Sequence, residues 1–190
     1  MSQPSLFVVS GPSGSGKTTI CRRIADQFNW YYSVSHTTRP IRPGEHNGRD
    51  YFFVNEAEFK DMVAEDAFFE WARVYDNFYG TAKEPVMDHL QKGQSVILDL
   101  DTQGAALVKK LKPEAVLVFI NTPSVDELET RLKSRGQNSE DEIKKRVQGA
   151  QNELSHIDEY DHVILNDDLD SAIAKLQDII NEHRQQSKTQ

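Results

Sequence analysis

Four short apolar runs recur at wide spacing along the 190-residue chain, at positions 6–9, 96–100, 115–120 and 163–165. Val, Ile, Leu and Phe dominate them, and only Asp99 interrupts. Runs without alternation suit strands buried on both faces of a parallel sheet. Helical patterns lie between them. Residues 18–28 open one, and residues 171–183 place Ile173, Leu176, Ile179 and Ile180 on one face. Ser124, after Pro123, stands three residues before Glu127, and Ser139 three before Glu142, so both match a capping box. The strand–helix alternation predicts an α/β architecture with helices on both faces of a parallel sheet.

Residues 33–80 break this pattern. Turn formers crowd there (Pro40, Pro43, Gly44, Asn47-Gly48), with Trp30, Tyr31 and Tyr32 before them and Tyr51, Phe52 and Phe53 after. Asn47-Gly48 ahead of an extended aromatic run is a hairpin-type signal. The stretch reads as an inserted β-rich subdomain, followed by a helix over 56–65. There are no internal repeats, and the polar residues from about 185 are expected to fray.

Composition narrows the class. The length suits one domain with a real core. A single cysteine, Cys21, excludes an internal disulfide framework and makes a structural zinc site improbable. No apolar run is long enough to span a membrane, and the first residues lack a signal-peptide pattern, so a cytoplasmic protein is expected. Thirty Asp and Glu outnumber 22 Lys and Arg, a net charge of −8, which argues against a nucleic-acid-binding surface. The acidity is local. Residues 151–183 hold nine acids and one lysine, while 35–49 and 131–146 carry a cationic excess.

Gly11-Pro12-Ser13-Gly14-Ser15-Gly16-Lys17-Thr18, with Thr19 next, fits G-x-x-x-x-G-K-[ST]. Glycines let backbone N–H groups approach phosphate oxygens with no Cβ in the way. Lys17 supplies a point charge to the β- and γ-phosphates, the Thr18 hydroxyl can ligate Mg²⁺, and the helix that follows adds its N-terminal dipole. The motif follows a buried run and opens a helical stretch, which is the context this chemistry needs. It names a nucleoside triphosphate with Mg²⁺ but no reaction, since small GTPases, ATPases and nucleotide kinases share it.

A second site has its own signal. Ser35-His36-Thr37-Thr38-Arg39-Pro40-Ile41-Arg42-Pro43-Gly44-Glu45 sets two guanidinium groups three residues apart between turn formers, so both forks can converge on one phosphate. The same spacing also suits a solvated basic loop. Together with the phosphate loop, Asn47-Gly48, Asp50-Tyr51, Glu70-Trp71, Tyr79-Gly80, Asp99-Leu100-Asp101, Gln103-Gly104 and residues 163–168, this segment resembles the guanylate kinases. The segments follow that family's order from about residue 5 to about residue 183. Two positions depart: Ile41 stands where the family often has proline, and Thr81 where it often has serine.

The resemblance implies a P-loop NTPase core with a parallel sheet flanked by helices, an inserted β-rich GMP-binding subdomain and a helical lid. It implies one domain over 4–184, with the core at 4–33, 84–125 and 150–184, the GMP-binding subdomain at 34–83 and the lid at 126–149. The implied reaction transfers the γ-phosphoryl group of ATP to GMP, with dGMP a further acceptor and Mg²⁺ required. Carried across residue by residue, it puts Arg39, Arg42, Tyr51 and Tyr79 on the GMP phosphate and Ser35, Glu70, Thr81 and Asp101 at guanine. ATP falls to residues 11–19 with Arg131 and Arg135, and catalysis to Lys17, Arg39, Arg135 and Arg146. ATP and GMP are then the partners, with no nucleic acid or membrane and a homo-oligomer left open.

These roles make chemical sense. Guanine presents N1–H and N2–H₂ side by side, and a carboxylate such as Glu70 accepts from both, whereas adenine would leave a buried acid unpaired. In isolation Glu70 reads as an exposed helix-end acid. Asp99 is assigned to the metal with Thr18, and Asp101 to GMP, on the expectation that strand alternation points the two acids apart. Arg131 and Arg135 share a helix face, Gly136 breaks that helix, and Arg146 lies on the next. Such a hairpin can carry cations to a transferring phosphoryl group and exclude water, although a solvated helix pair has the same pattern. No general base is needed, because the nucleophile is a phosphate oxygen already anionic at neutral pH. Two rivals remain: a kinase for another phosphate ester such as a ribose bisphosphate, and a peptide-binding module, which typically lacks a working phosphate loop.

Overall fold

A computed structural model describes residues 4–74, 76–134 and 140–189. The apolar runs form β1 (Leu6–Ser10), β7 (Val96–Asp99), β8 (Val116–Asn121) and β9 (His162–Leu165). A fifth strand, β2 (Tyr31–Ser33), escapes the apolar pattern because it is three residues long and only partly covered. All five pair in parallel in the order β2-β7-β1-β8-β9. β1 lies at the centre and is buried along its whole length. β9 corrects the expectation of burial on both faces: Val163 and Leu165 are 51% and 42% exposed, and only Ile164 is buried, because this strand forms the sheet edge.

Helices cover both faces, as the alternation predicts. On one face, α1 (Lys17–Phe28) and α7 (Leu169–Thr189) bring Ile20, Ile24, Ile173, Leu176 and Ile180 against Phe7, Val9, Ile97, Val118 and Ile120. On the other, α3 (Lys83–Gln91) and α4 (Thr102–Leu111) bring Val86, Ala105 and Val108 against Leu6, Val8, Leu98 and Leu117. α7 continues to Thr189, past the point where fraying is expected. Among the described residues no helix is long and apolar enough to cross a membrane.

The interruption at 33–80 is a second, mixed sheet of β3 (His36–Thr37), β4 (Phe52–Phe53), β5 (Phe68–Val74) and β6 (Asn77–Ala82), in the order β4-β3-β6-β5. Asn47-Gly48 does not make the expected hairpin. β3 and β4 run parallel, so the chain must loop back through residues 38–51, and Gly48, at φ +78°, turns inside that loop. The antiparallel hairpin is instead β5–β6, where Val74 pairs with Asn77. α2 (Glu56–Ala64), close to its expected span, starts on a full capping box between Asn55 and Glu58. It lays Phe59 against Phe68 and Phe78.

α5 (Val125–Ser134) and α6 (Glu140–Leu154) pack on each other through Leu128, Leu132, Ile143, Val147 and Ala150, a cluster separate from the sheet cores. Ser124 Oγ accepts from the Glu127 N–H at 3.1 Å, as its capping pattern predicts. The other predicted cap, at Ser139, lies outside the described residues.

Candidate active site

The phosphate motif joins the C-terminal end of β1 to α1. Gly11, Gly14 and Gly16 all have positive φ. Gly11 has no substitute, because a Cβ there would overlap the carbonyl oxygen of Ile120 on the neighbouring strand. At Gly16, which caps α1, a Cβ would stand 2.5 Å from Asn166 Nδ2. Lys17 Nζ folds back on the loop and donates to the carbonyls of Gly11 and Pro12. Thr18 Oγ1 donates to Asp99 Oδ2 at 2.6 Å. Pro12 and Ser15 are buried behind the loop, and Ser15 Oγ has no hydrogen-bond partner among the described residues.

A single cleft of about 370 Å³ runs from this loop to the second sheet. Gly11, Ser13, Gly14, Gly16, Lys17, Thr18 and Thr19 line one side of it. Ser35, Arg39, Arg42, Tyr51, Glu70 and Tyr79 line the other, with Asp99, Asp101 and Arg146 also in its wall. Most of the residues singled out in the sequence therefore meet in one space. Thr81 does not face it. That hydroxyl is buried and donates to Glu70 Oε1 at 2.6 Å, which fixes the carboxylate rather than presenting a free donor. Arg131 also lies elsewhere, bonded to Glu127 at 2.9 Å and to the Asn166 carbonyl at 3.1 Å. Arg135 lies outside the described residues.

Arg39 is buried with its fork closed on Glu45, at 3.0 and 2.8 Å, and it also donates to the Pro40 carbonyl. Burial tends to raise the Glu45 carboxyl, but the Arg39 bonds and the Arg42 backbone N–H bring it below the usual carboxylate range. No hydrogen bond or ion pair engages the Arg42 guanidinium among the described residues. Burial and the nearby charges of Arg39 and Arg146 push its pKa down. Arg146 donates to Ser13 Oγ. Arg39, Arg42 and Arg146 stand close enough to depress the Arg42 guanidinium, and among the described residues only Arg39 of the three forms an ion pair, which leaves cationic donors for a phosphate.

Glu70 sits on β5 and is 7% exposed, not at a helix end. Burial pushes its pKa up to about 7, against the Thr81 hydrogen bond and with help from neighbouring Asp101. Asp101 is the N-cap of α4: Oδ1 accepts from the Gly104 N–H at 2.7 Å, while Oδ2 is buried without a partner among the described residues. The two acids do part company, but not by strand alternation, which would put residues two apart on one face. β7 ends at Asp99, and Asp101 already belongs to the next helix.

Four residues contribute in ways that the sequence reading did not assign. Glu153 on α6 lines the cleft, and burial raises its pKa against the charges of Lys17 and Arg146. Asn166 is buried and donates from Nδ2 to the Ser15 carbonyl at 2.6 Å, bracing the phosphate loop from β9's end. Arg22 and Asp50 form an ion pair at 3.0 Å across the cleft wall. Each depends on contacts between distant segments, and only Asp50 and Asn166 fell within segments that carry the resemblance.

A hard divalent cation fits Thr18 and Asp99, whose oxygens already stand at hydrogen-bond distance. Among the described residues no three His, Cys, Asp or Glu side chains form a metal-holding group. An ion of this kind can be held by one or two protein oxygens together with phosphates and water.

Comparison with known proteins gives this arrangement its family. The guanylate kinase family model matches residues 3–183. A guanylate kinase of Shewanella oneidensis is 50% identical over 95% of this chain and 88% of its own length. One of Caldanaerobacter subterraneus subsp. tengcongensis is 49% identical over 94% and 87%. The crystal structure of guanylate kinase from Anaplasma phagocytophilum superposes with a TM-score of 0.82 at 33% identity, covering 96% of this chain and 87% of that one. With a complete phosphate loop facing a buried acid pair across one cleft, the chain belongs to the guanylate kinase family.

Proposed function

We propose that this member of the family transfers the γ-phosphoryl group of ATP to GMP, giving ADP and GDP, through the residues that line this one cleft. The observation that carries the reading is the shared space: a triphosphate loop on one wall, and on the other a cationic clamp beside a buried acid pair. ATP lies on the loop 11–19, with its phosphates on the backbone N–H groups and on Lys17. GMP lies against the second sheet, between residues 34–83 and the start of α4. Its phosphate takes Arg42, Tyr51 and Tyr79, and Arg39, pinned by Glu45, adds a fixed charge. Guanine takes Ser35, Glu70 and the unpartnered Oδ2 of Asp101, with Thr81 acting through Glu70. dGMP fits the same contacts.

The chain's own task is positioning and neutralisation. Lys17 gives up its loop carbonyls for phosphate, and Arg146, one of the cations on the lid at 126–149, reaches the loop at Ser13. Mg²⁺ held by Thr18 and Asp99 would neutralise charge between the two phosphates. No residue need remove a proton, because the GMP phosphate is already a nucleophile.

A coupled assay with GMP, dGMP, AMP, UMP and ribose 1,5-bisphosphate tests the reading. GMP is expected to be the best acceptor, and Lys17→Ala to lower kcat by at least about a hundredfold. Turnover of the bisphosphate without turnover of GMP sinks it. A complete absence of phosphoryl transfer, with peptide binding intact, would favour an interaction module instead.

A further inference from the structure

The segment 38–51 is attached to the core by two kinds of chemistry. Its sheet is anchored by Phe69 of β5, which is buried among Leu6, Val86 and Leu100. Its far end is held by polar contacts. Arg22, one turn after Thr18 on α1, donates to the Arg49 carbonyl at 2.6 Å and to Asp50 Oδ1 at 3.0 Å. The guanidinium stands over the Tyr32 ring, 5.4 Å from its centroid. Asp50 closes the turn below it: Oδ2 accepts from the His46 N–H at 2.9 Å, with Arg49 Nε 3.3 Å away. The next residue is Tyr51, whose carbonyl accepts from the Gly48 N–H. Both partners are shielded, with Arg22 29% and Asp50 17% exposed.

We propose that Arg22 is a positioning residue for phosphoryl transfer. It ties the helix that carries Thr18 to the segment that presents Tyr51 and Arg42, and so sets the separation of the two phosphate sites. This rests on the reading of Arg39, Arg42, Tyr51 and Tyr79 as the GMP phosphate clamp. Arg22 acts through Asp50, since its donors are directed at the loop and at Tyr32. A charge-assisted pair shielded to this degree keeps strength that an exposed pair loses to solvent and salt. A clamp in place only part of the time binds its ligand more weakly in proportion to that fraction.

Steady-state kinetics on the full chain test this, with Arg22→Ala, Arg22→Lys, Asp50→Asn, the Arg22→Ala/Asp50→Asn double variant and Arg42→Ala. Arg22→Ala is expected to raise the KM for GMP about tenfold while the KM for ATP stays within about twofold. Asp50→Asn keeps an acceptor for the His46 N–H and loses the charge. The double variant should then be no worse than Arg22→Ala, as befits one shared contact, and Arg22→Lys should recover part of the loss. Additive losses, an equal rise in both KM values, or an unchanged KM for GMP overturns the proposal. So does a lower melting temperature with both KM values unchanged, which marks a merely structural contact. Arg42→Ala separates the two readings. If it leaves the KM for GMP unchanged, the clamp itself is wrong; if it raises that KM while Arg22→Ala does not, only the role of Arg22 falls.

Discussion

Glu70 shows how far one side chain's environment goes beyond its identity. Its carboxyl is buried, takes the Thr81 hydroxyl on Oε1, and leaves Oε2 against Gly104, where a Cβ would stand 2.8 Å away. Its pKa of about 7 lies above the value of 4.5 for a free side chain, so the sign follows directly. The stabilising effect of keeping the buried group neutral is whole below pH about 4.5 and is lost as pH rises through about 7. Glu70→Gln escapes that loss. Its unfolding free energy should gain on wild type across this window, by about 3 kcal/mol at pH 8, as urea denaturation at pH 5 and pH 8 would measure. GMP needs the ionised carboxylate, so wild-type affinity for GMP should fall more steeply below pH about 7 than that of Glu70→Gln, which loses only what protonation of the GMP phosphate near pH ~6 costs. The same pH slope in both proteins would remove Glu70 from guanine. The residue was legible beside Trp71 through the family pattern. Its protonation was not, because the surroundings are set by Thr81 on β6 and by Asp101 and Gly104 at the start of α4, which the chain brings in from two other places.

At the scale of elements, legibility followed burial. The runs behind β1, β7 and β8 were readable because both faces of each strand are covered, and the edge strands were misread or missed because one face is not. The Asn47-Gly48 turn was recognised, but its partner was not, since a parallel β3–β4 pair cannot be told from a hairpin by composition. The phosphate loop was readable outright, and its support was not. Asn166, just past β9, donates from its side chain to the Ser15 carbonyl and from its backbone N–H to the Asn121 carbonyl, and its own carbonyl accepts from Arg131. Removing that amide leaves a buried carbonyl unpaired, a cost of about 1–3 kcal/mol. Asn166→Ala is therefore expected to raise the KM for ATP and lower the melting temperature while sparing the KM for GMP. Initial rates with each substrate varied in turn would show it, and an equal effect on both substrates would argue against a local brace.

The whole molecule is built from apolar centres joined by polar bridges. The two sheet-face clusters share the central strands, while the α5–α6 cluster stands apart from both. α5 and α6 reach the phosphate loop through Arg146 to Ser13 and through Arg131 to Asn166, and the loop 38–51 reaches α1 through Arg22. Polar contacts of this size hold modules in place without fusing them, so relative motion is the expectation. Ligands carrying phosphate should then tighten these bridges selectively, because the cleft's cations belong to three different modules: Lys17 to the core, Arg42 to the second sheet and Arg146 to α6. Hydrogen exchange with GMP and a non-hydrolysable ATP analogue together should slow the amides of α6 and of residues 38–51 several-fold more than those of β8 or α4. Either nucleotide alone should slow mainly its own side. Uniform protection across the chain would mean that the cleft does not close by moving parts, and that the cations reach the phosphates by side-chain rotation alone.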